Sequence, residues 1–381
     1  MKNEEITPRI RFKGFYDAWE QRKLGDVVSW NSGNGISKSE LSNNGKNKVI
    51  HYADLYKMPE IISKNNIINY SDSQDGVKIK TNSILFPKSD VTSSGLARTS
   101  SLSLPEIFAG GDVLIGQIDN NISSKFISFE INKNRKSILK YVTGSTIRHI
   151  SSKSLSKLDI SIPVIKEQIK IYELLDKLNK LIDANGVKHA ETQRMANFLR
   201  NSLLDESILV ENCANVWNNR KLSKIFEIKN GKSQKKVEVK DGKYPILATG
   251  GEIGRTNIPL YSESSVLIGR KGTIDKPKFI DEPFWTVDTL FYTRIFDKYV
   301  PKFIYYVTTT INWKKYDSST SLPSLTTSSI YSISVKIPDD KNEQQVIADL
   351  LTKLDKLTNN YKTKIEKLKT IKQYLMQNMF I

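Results

Sequence analysis

The chain is written twice. A segment that opens Trp19-Glu20-Gln21-Arg22-Lys23-Leu24 returns 198 positions later as Trp217-Asn218-Asn219-Arg220-Lys221-Leu222. Each copy closes alike: Ser145-Thr146-Ile147-Arg148-His149-Ile150 aligns with Thr320-Ser321-Leu322-Pro323-Ser324-Leu325, and Ile162-Pro163 with Ile337-Pro338, both at an offset of 175. The second block is therefore shorter than the first, as expected of one frame carrying different loops. A repeat of this size dictates architecture before any local reading begins, because each copy must fold to the same frame.

After each Ile-Pro comes Glu-Gln (Glu167-Gln168, Glu343-Gln344) and then a leucine-rich run. Leu174-Leu175-Asp176-Lys177-Leu178-Asn179-Lys180-Leu181 matches Leu350-Leu351-Thr352-Lys353-Leu354-Asp355-Lys356-Leu357 at six of eight positions. The heptad period predicts a helical seam through Ile347, Leu350, Leu354, Leu357, Leu368, Ile371 and Leu375, interrupted at Lys364 and Asn378. In the first copy Ile171, Leu174, Leu178 and Leu181 fit, Asn185, Lys188 and Thr192 do not, and Met195, Leu199 and Leu203 restore the stripe. Gly186 lies within that polar patch and costs about 1 kcal/mol inside a helix. One long bent helix and two helices joined at Asn185-Gly186 both satisfy this pattern.

Each seam needs a partner, and the simplest is the other helix of the same chain. Two repeats related by a pseudo-two-fold would lay the helices antiparallel, with one block at each end in inverted orientation. An intermolecular coiled coil, making a dimer or a docking surface, is the alternative. The fold class expected is α+β: two pseudo-repeated α+β domains separated by two long antiparallel coiled-coil helices. The boundaries fall at 1–164 and 213–338 for the blocks, and at 165–212 and 339–381 for the helical regions. Runs such as Ser83-Ile84-Leu85-Phe86, Asp112-Val113-Leu114-Ile115 and Ser265-Val266-Leu267-Ile268 read as strands bounded by Gly, Pro, Ser and Asn.

Charge follows the same division. Of a formal +17, residues 1–163 hold 23 Lys/Arg against 16 Asp/Glu and residues 216–338 hold 20 against 11, so nearly all the excess lies in the blocks. Cations concentrated this way suit a polyanion, since they release counterions condensed on phosphate, although solubility alone also accounts for a basic surface. A helix of about 40 residues spans roughly 60 Å. That is comparable to one or two turns of DNA at about 34 Å each, so the helices would serve as a ruler. Cys213 has no second cysteine to pair with, and His51, His149 and His189 are scattered, so neither a disulfide nor structural zinc is expected. The charged opening Met1-Lys2-Asn3-Glu4-Glu5 and the lack of any long apolar run predict a cytoplasmic chain without membrane insertion.

No catalytic motif stands in the sequence. Gly231-Lys232-Ser233 resembles the end of a phosphate-binding loop, yet the glycine needed five positions earlier is Phe226. There is no Asn-Pro-Pro-Tyr-type adenine-methylation motif, no H-E-x-x-H and no C-x-x-C. Pro338-Asp339 hints at a nuclease carboxylate, but Asp339 stands at a helix entry where capping explains it. His149 has no nucleophile or paired carboxylate around it. The recurring polar features are cationic loops. Gly269-Arg270-Lys271-Gly272 sets Arg270 and Lys271 between glycines after a strand, and Phe86-Pro87-Lys88-Ser89 occupies the equivalent place in the first block, followed by Thr92, Ser93, Ser94 and Arg98. Lys232, Gln234, Lys235 and Lys236 form a second loop, and Arg255 and Asn257 a third. These are the candidate DNA-binding residues, each of which also reads as an ordinary solvated loop position. Trp19, Trp217, Trp285 and Trp313 read as core anchors.

Taken in order, Trp-x-x-Arg-Lys-Leu, Gly-Ser-Thr-Ile-x-His at 144–149, Ile-Pro, Glu-Gln and a leucine-rich helix, then all of it again, the sequence resembles the specificity subunits of type I restriction-modification systems over essentially its full length. The second block's Gly-Arg-Lys-Gly and Phe284-Trp285-Thr286-Val287-Asp288-Thr289 look like one recurring class of their target-recognition domains. Arg148 departs from the proline common at that place, which Pro323 keeps, and leaves the local turn of the first block open. The resemblance implies that each block reads one half of a bipartite, asymmetric site in double-stranded DNA. It implies that the helices set the spacer and dock two methyltransferase subunits, which recruit the restriction and translocase subunits. No cofactor would then bind this chain; S-adenosylmethionine, ATP and Mg would serve the partners, and the chain would be no enzyme. A stand-alone two-domain DNA-binding or architectural protein, dimerising through its helices, is the competing expectation.

Overall fold

The computed structural model of the chain describes residues 7–73, 75–205, 207–208, 210–211, 213, 216–319 and 321–381. The charged opening Met1-Lys2-Asn3-Glu4-Glu5 and Thr320, in the second closing segment, lie outside them. The elements that recur are, in chain order, β1 (Glu20–Lys23), β2 (Val28–Ser32), β3 (Ser83–Pro87), β4 (Val113–Ile118), α1 (Ser124–Asn132), β5 (Asp159–Ile162), α2 (Ile165–Leu204), β6 (Trp217–Lys221), β7 (Phe226–Asn230), β8 (Ser265–Gly269), β9 (Leu290–Ile295), α3 (Pro301–Thr310), β10 (Ser334–Pro338) and α4 (Lys341–Asn378). The chain divides into two compact units, residues 1–186 with 363–381, and residues 187–362.

In the first unit the ends of the block clasp each other. β1 pairs antiparallel with β5, Glu20 opposite Ile162 and Lys23 opposite Asp159. Inside the clasp, β4 lies between β2 and β3. All five residues of β3 are buried, which explains why its sequence is an apolar run with no alternation: both faces of the sheet are covered. Ile84, Phe86 and Leu114 point into a core shared with Phe126, Ile127 and Phe129 on and around α1. Leu85, Val113 and Ile115 point the opposite way, into a second core with Ile50, Ile79, Ile107 and Ala109. That second core lies under an inserted sheet of Asn69–Ser71, Asn47–Ile50, Ile107–Ala109 and Val77–Ile79.

The second unit repeats the frame in the same register. β6 pairs with β10, Asn218 opposite Ile337 and Lys221 opposite Ser334, the positions equivalent to the β1/β5 pairs. β9 lies between β7 and β8, and Val266, Ile268 and Phe291 face one core while Leu267, Leu290 and Tyr292 face another. The inserted sheet is a different one, ordered Glu238–Val239, Gly251–Thr256, Tyr244–Ala248 and Trp285–Thr286. The four tryptophans read as anchors, Trp19, Trp217, Trp285 and Trp313, are all buried.

The Glu-Gln motif is the joint between each block and its helix. The Gln168 side-chain carbonyl accepts from the Ser123 amide at 2.9 Å and its NH2 donates to the Pro163 carbonyl at 2.8 Å. Gln344 accepts from Val300 and donates to Pro338, both at 2.9 Å. Both glutamines are at most 1% exposed, so these bonds satisfy groups that water cannot reach. The neighbouring carboxylates are held differently. Glu343 accepts from the Trp217 indole at 2.8 Å, whereas Glu167 takes a two-pronged bond from Arg11 at 2.7 and 2.9 Å. The indole nitrogen of Trp19 is accordingly left buried without a partner among the described residues.

α2 runs unbroken from Ile165 through Asn185 and Gly186 to Leu204, which settles the open alternative in favour of one helix. Within the first unit its early turns share a core with the last turns of α4 and the residue after it: Ile171, Leu175 and Leu178 with Leu368, Leu375 and Met376, and with Met379. Within the second, Leu199 and Leu203 share a core with Ile347, Ala348, Leu351 and Leu354. The helices thus run antiparallel. The seam differs in detail from the heptad reading. Leu181, Met195, Leu350, Leu357 and Ile371 are exposed, and the inward set is Ile171, Leu175 and Leu178, matched by the buried Ile347 and Leu351 and the half-buried Leu354. Each helix packs on a domain core as well as on the other helix, so the stripe widens to spacings of four and three and turns the second leucine of each Leu-Leu pair inward.

Candidate nucleic-acid interface

The cationic loops grow from the ends of the frame strands. In the second unit β8 ends at Gly269, where a Cβ would stand 2.1 Å from the Thr273 carbonyl oxygen, so only glycine lets the chain turn back so tightly. Gly272 has φ +83°, the other half of the same requirement. Between them Arg270 is pinned on both sides: its amide donates to Thr289 at 2.9 Å and its carbonyl accepts from Leu325 at 2.9 Å. Its guanidinium lies 5.8 Å from the Phe291 ring centroid and donates at 3.4 Å to the Asp288 carbonyl. Lys271 is exposed and its side chain has no partner among the described residues.

The Phe284-Trp285-Thr286-Val287-Asp288-Thr289 segment holds a second cationic loop beside this turn. Lys232 donates its amide to Thr286 at 2.7 Å, and the Trp285 indole donates to the Lys232 carbonyl at 2.8 Å. The same segment thereby carries Lys232 at one end and Arg270 with Lys271 at the other. Lys235 and Lys236 continue the loop as exposed, unpaired cations among the described residues, while Gln234 is half-buried and its carbonyl accepts the amides of Val237 and Glu238 to close a turn.

In the first unit Lys88 follows β3 as Arg270 follows β8. Its amide donates to Asp112 at 2.8 Å and its carbonyl accepts from Ile150 at 3.0 Å. Ser89 and Asp90 pair with His149 and Arg148, and Lys271 bridges Ser324 in the same register, so the pairing beside Arg148 matches the pairing beside Pro323. Ser93 and Ser94 open a single helical turn, Ser93–Leu96. Its cap, Thr92, accepts the Gly95 amide at 3.2 Å and donates to Asp90 at 2.9 Å, and Ser94 is exposed beside it.

Three candidates have side chains engaged within the fold. Arg98 is half-buried and donates to the Tyr56 and Met58 carbonyls, closing a loop from within. Arg255 donates to the Gly242 and Lys243 carbonyls at 2.7 and 2.8 Å and to Glu252 at 2.9 Å, and the Asn257 side-chain carbonyl accepts the Lys243 amide at 3.0 Å. Asp339, the suspected nuclease carboxylate, holds Arg220 at 2.9 Å and Lys298 at 3.2 Å. His149 donates and accepts backbone bonds with Thr143.

The structure adds cations that the sequence had not singled out. Lys46, Lys48 and Lys64 line a groove of about 500 Å³ with Asn47 and Phe108, and Lys78 and Lys80 stand with Trp30 and Gln117 in another of about 320 Å³. Lys46 and Lys48, and Lys78 and Lys80, lie two positions apart at strands of the inserted sheet, and Lys64 joins the first pair from a 3-10 turn; the basic balance of the first block was their only signal. Among the described residues no group of His, Cys, Asp and Glu is arranged to hold a metal, and no helix is long and apolar enough to cross a membrane.

A family model for the type I restriction modification DNA specificity domain matches residues 16–192 and again residues 215–370, once on each repeat. Among solved structures the chain is similar to the S subunit of a type I restriction-modification system from M. genitalium, with a TM-score of 0.72 at 16% identity over 98% of this chain and 99% of that one. A structure from a study of complex assembly and conformational transition in a type I R-M system matches with a TM-score of 0.52 at 13% identity, covering 97% of this chain and 99% of that one. At such identities these likenesses speak for the fold.

Proposed function

This chain belongs to the family of type I restriction-modification DNA specificity proteins, and from that premise we propose that its two blocks are target-recognition domains, each reading one half of a bipartite, asymmetric site in double-stranded DNA. The observation that carries this is the frame and its exceptions. The β1/β5 and β6/β10 clasps share one register, while the sheets inserted between them differ. One mounting with two dissimilar reading surfaces suits two dissimilar half-sites. The reading loops include the turns of Lys88, Ser93 and Ser94 in the first unit, and of Lys232, Lys235, Lys236, Arg270 and Lys271 in the second.

The long helices set the distance between half-sites and dock two methyltransferase subunits, through which restriction and translocase subunits join. Leu181 and Ile371 in the first unit, and Met195, Leu350 and Leu357 in the second, are exposed on those helices and available for that docking. The chain itself is non-catalytic: S-adenosylmethionine, ATP and Mg serve the partners, since no motif for their chemistry stands in this sequence. The complex works in the cytoplasm, where the DNA is.

The test mixes the chain with its cognate methyltransferase subunit and maps methylated adenines genome-wide. Two short sequences at a fixed separation are expected, methylated only when this chain is present, with two methyltransferase copies in the purified complex. Methylation of an unsplit sequence, or none with any cognate partner, overturns the reading.

A further inference from the structure

Lys88 and Arg270 occupy one position in two unlike surroundings. Each follows the same frame strand, each donates its amide to the residue just before the neighbouring strand, Asp112 or Thr289, and each accepts from the closing segment, Ile150 or Leu325. The four bonds lie between 2.8 and 3.0 Å, so the two backbones are held alike although the four-stranded sheets inserted beside them differ in strand order. At this fixed point both copies carry a cation. Lys88 is exposed with no side-chain partner among the described residues, and Arg270 spends one long bond on Asp288.

A feature that both domains keep while their reading surfaces diverge answers to what both half-sites share. Two half-sites of different sequence share no base pattern; they share the phosphate backbone. The change of cation between copies points the same way. Reading a guanine edge favours the planar fork of arginine, whereas a phosphate accepts either a fork or a point charge. Resting on the DNA-reading function proposed above, we infer that Lys88 and Arg270 are twin phosphate anchors, which fix each domain's register on the duplex and leave the choice of bases to the loops around them.

The experiment uses the full chain in complex with its methyltransferase subunits and two duplexes of equal length, one carrying the mapped site and one unrelated. Dissociation constants are measured as a function of salt. For K88A and for R270A the slope of log Kd against log salt is expected to fall by about one, and affinity to drop by the same factor on both duplexes. K88R and R270K are expected to keep the wild-type slope, and every variant to methylate the unchanged sequence. Truncation beyond Cβ leaves the backbone bonds in place, and an unchanged unfolding midpoint confirms the fold. An unchanged slope in the alanine variants overturns the inference, as does an altered methylated sequence, which would make the residue a base reader, or an R270K variant as weak as R270A. A wild-type complex that methylates no bipartite site defeats the proposed function and the anchors with it. A wild type that does so, beside an R270A of normal slope, defeats the anchors alone.

Discussion

The amide of Gln344 donates to the Pro338 carbonyl at 2.9 Å across the entry to α4, and its carbonyl takes the Val300 amide at the same distance. One side chain therefore ties the last strand of the block, the first turn of α3 and the helix that leaves them. Gln168 does the same with Pro163 and Ser123. Replacing Gln344 by alanine strands a buried donor and a buried acceptor, each worth about 1–3 kcal/mol. Urea unfolding of Q344A is expected to show a loss of about 2–4 kcal/mol, and Q168A a loss of the same size in the first unit. A loss below about 0.5 kcal/mol, the range of an ordinary surface change, would mean the joint is held by something else.

Arg98 and Arg255 separate cations bonded to the backbone from cations without a partner among the described residues. Both donate to backbone carbonyls, Tyr56 and Met58 for one, Gly242 and Lys243 for the other. R98A and R255A are expected to lower stability by about 1–3 kcal/mol while leaving the salt dependence of DNA binding within a few tenths of the wild-type slope. A fall of a full unit in that slope would return them to the DNA surface.

These two arginines also mark how far the sequence could be read. The frame was legible because it is stated twice: the opening segments recur at an offset of 198 and the closing segments at 175, each followed by a helix entry. What each cation does was not, because Arg98 finds its partners about forty positions earlier in the chain, and nothing in the sequence near it records them. The leucine seam was half legible. The period placed the helices, but which leucine of Leu174-Leu175 or Leu350-Leu351 turns inward depends on the domain core that forms the third wall, a body outside any heptad pattern.

Glu60 gives the first unit a pH dependence whose sign can be worked out. Its buried carboxylate meets Lys372 of α4 at 2.9 Å and Asn179 of α2 at 3.0 Å. Burial pushes the carboxyl up, but the Lys372 charge and the bonds from Lys372 and Asn179 outweigh it, and the net displacement is downward from the ordinary carboxylate value. A group held lower in the folded than in the unfolded chain stabilises fully above its unfolded value, near pH 4.3, and loses that contribution as pH falls through the folded value. Wild type is therefore expected to lose more stability than E60Q between about pH 6 and pH 3. Parallel curves for the two proteins in urea unfolding would mean that the ion pair contributes nothing to folding.

Gly186 sits inside α2 with nothing within 4 Å of where its Cβ would be, and it is not among the residues with positive φ. No close approach and no left-handed backbone demands glycine there. Its neighbour Asn185 is buried and turns its amide back to the Leu181 carbonyl at 2.6 Å, a local bond that ties the helix only to itself. G186A therefore removes the backbone freedom of glycine from the unfolded chain and meets no steric cost in the folded one, so stability is expected to rise by about 0.5–1 kcal/mol in urea unfolding. Amide exchange at residues 182–190 should slow with it, since opening of that stretch would cost more. A destabilised G186A would instead mean that the helix needs the freedom of glycine at this point, and that the unbroken course of α2 through Asn185 is held under strain.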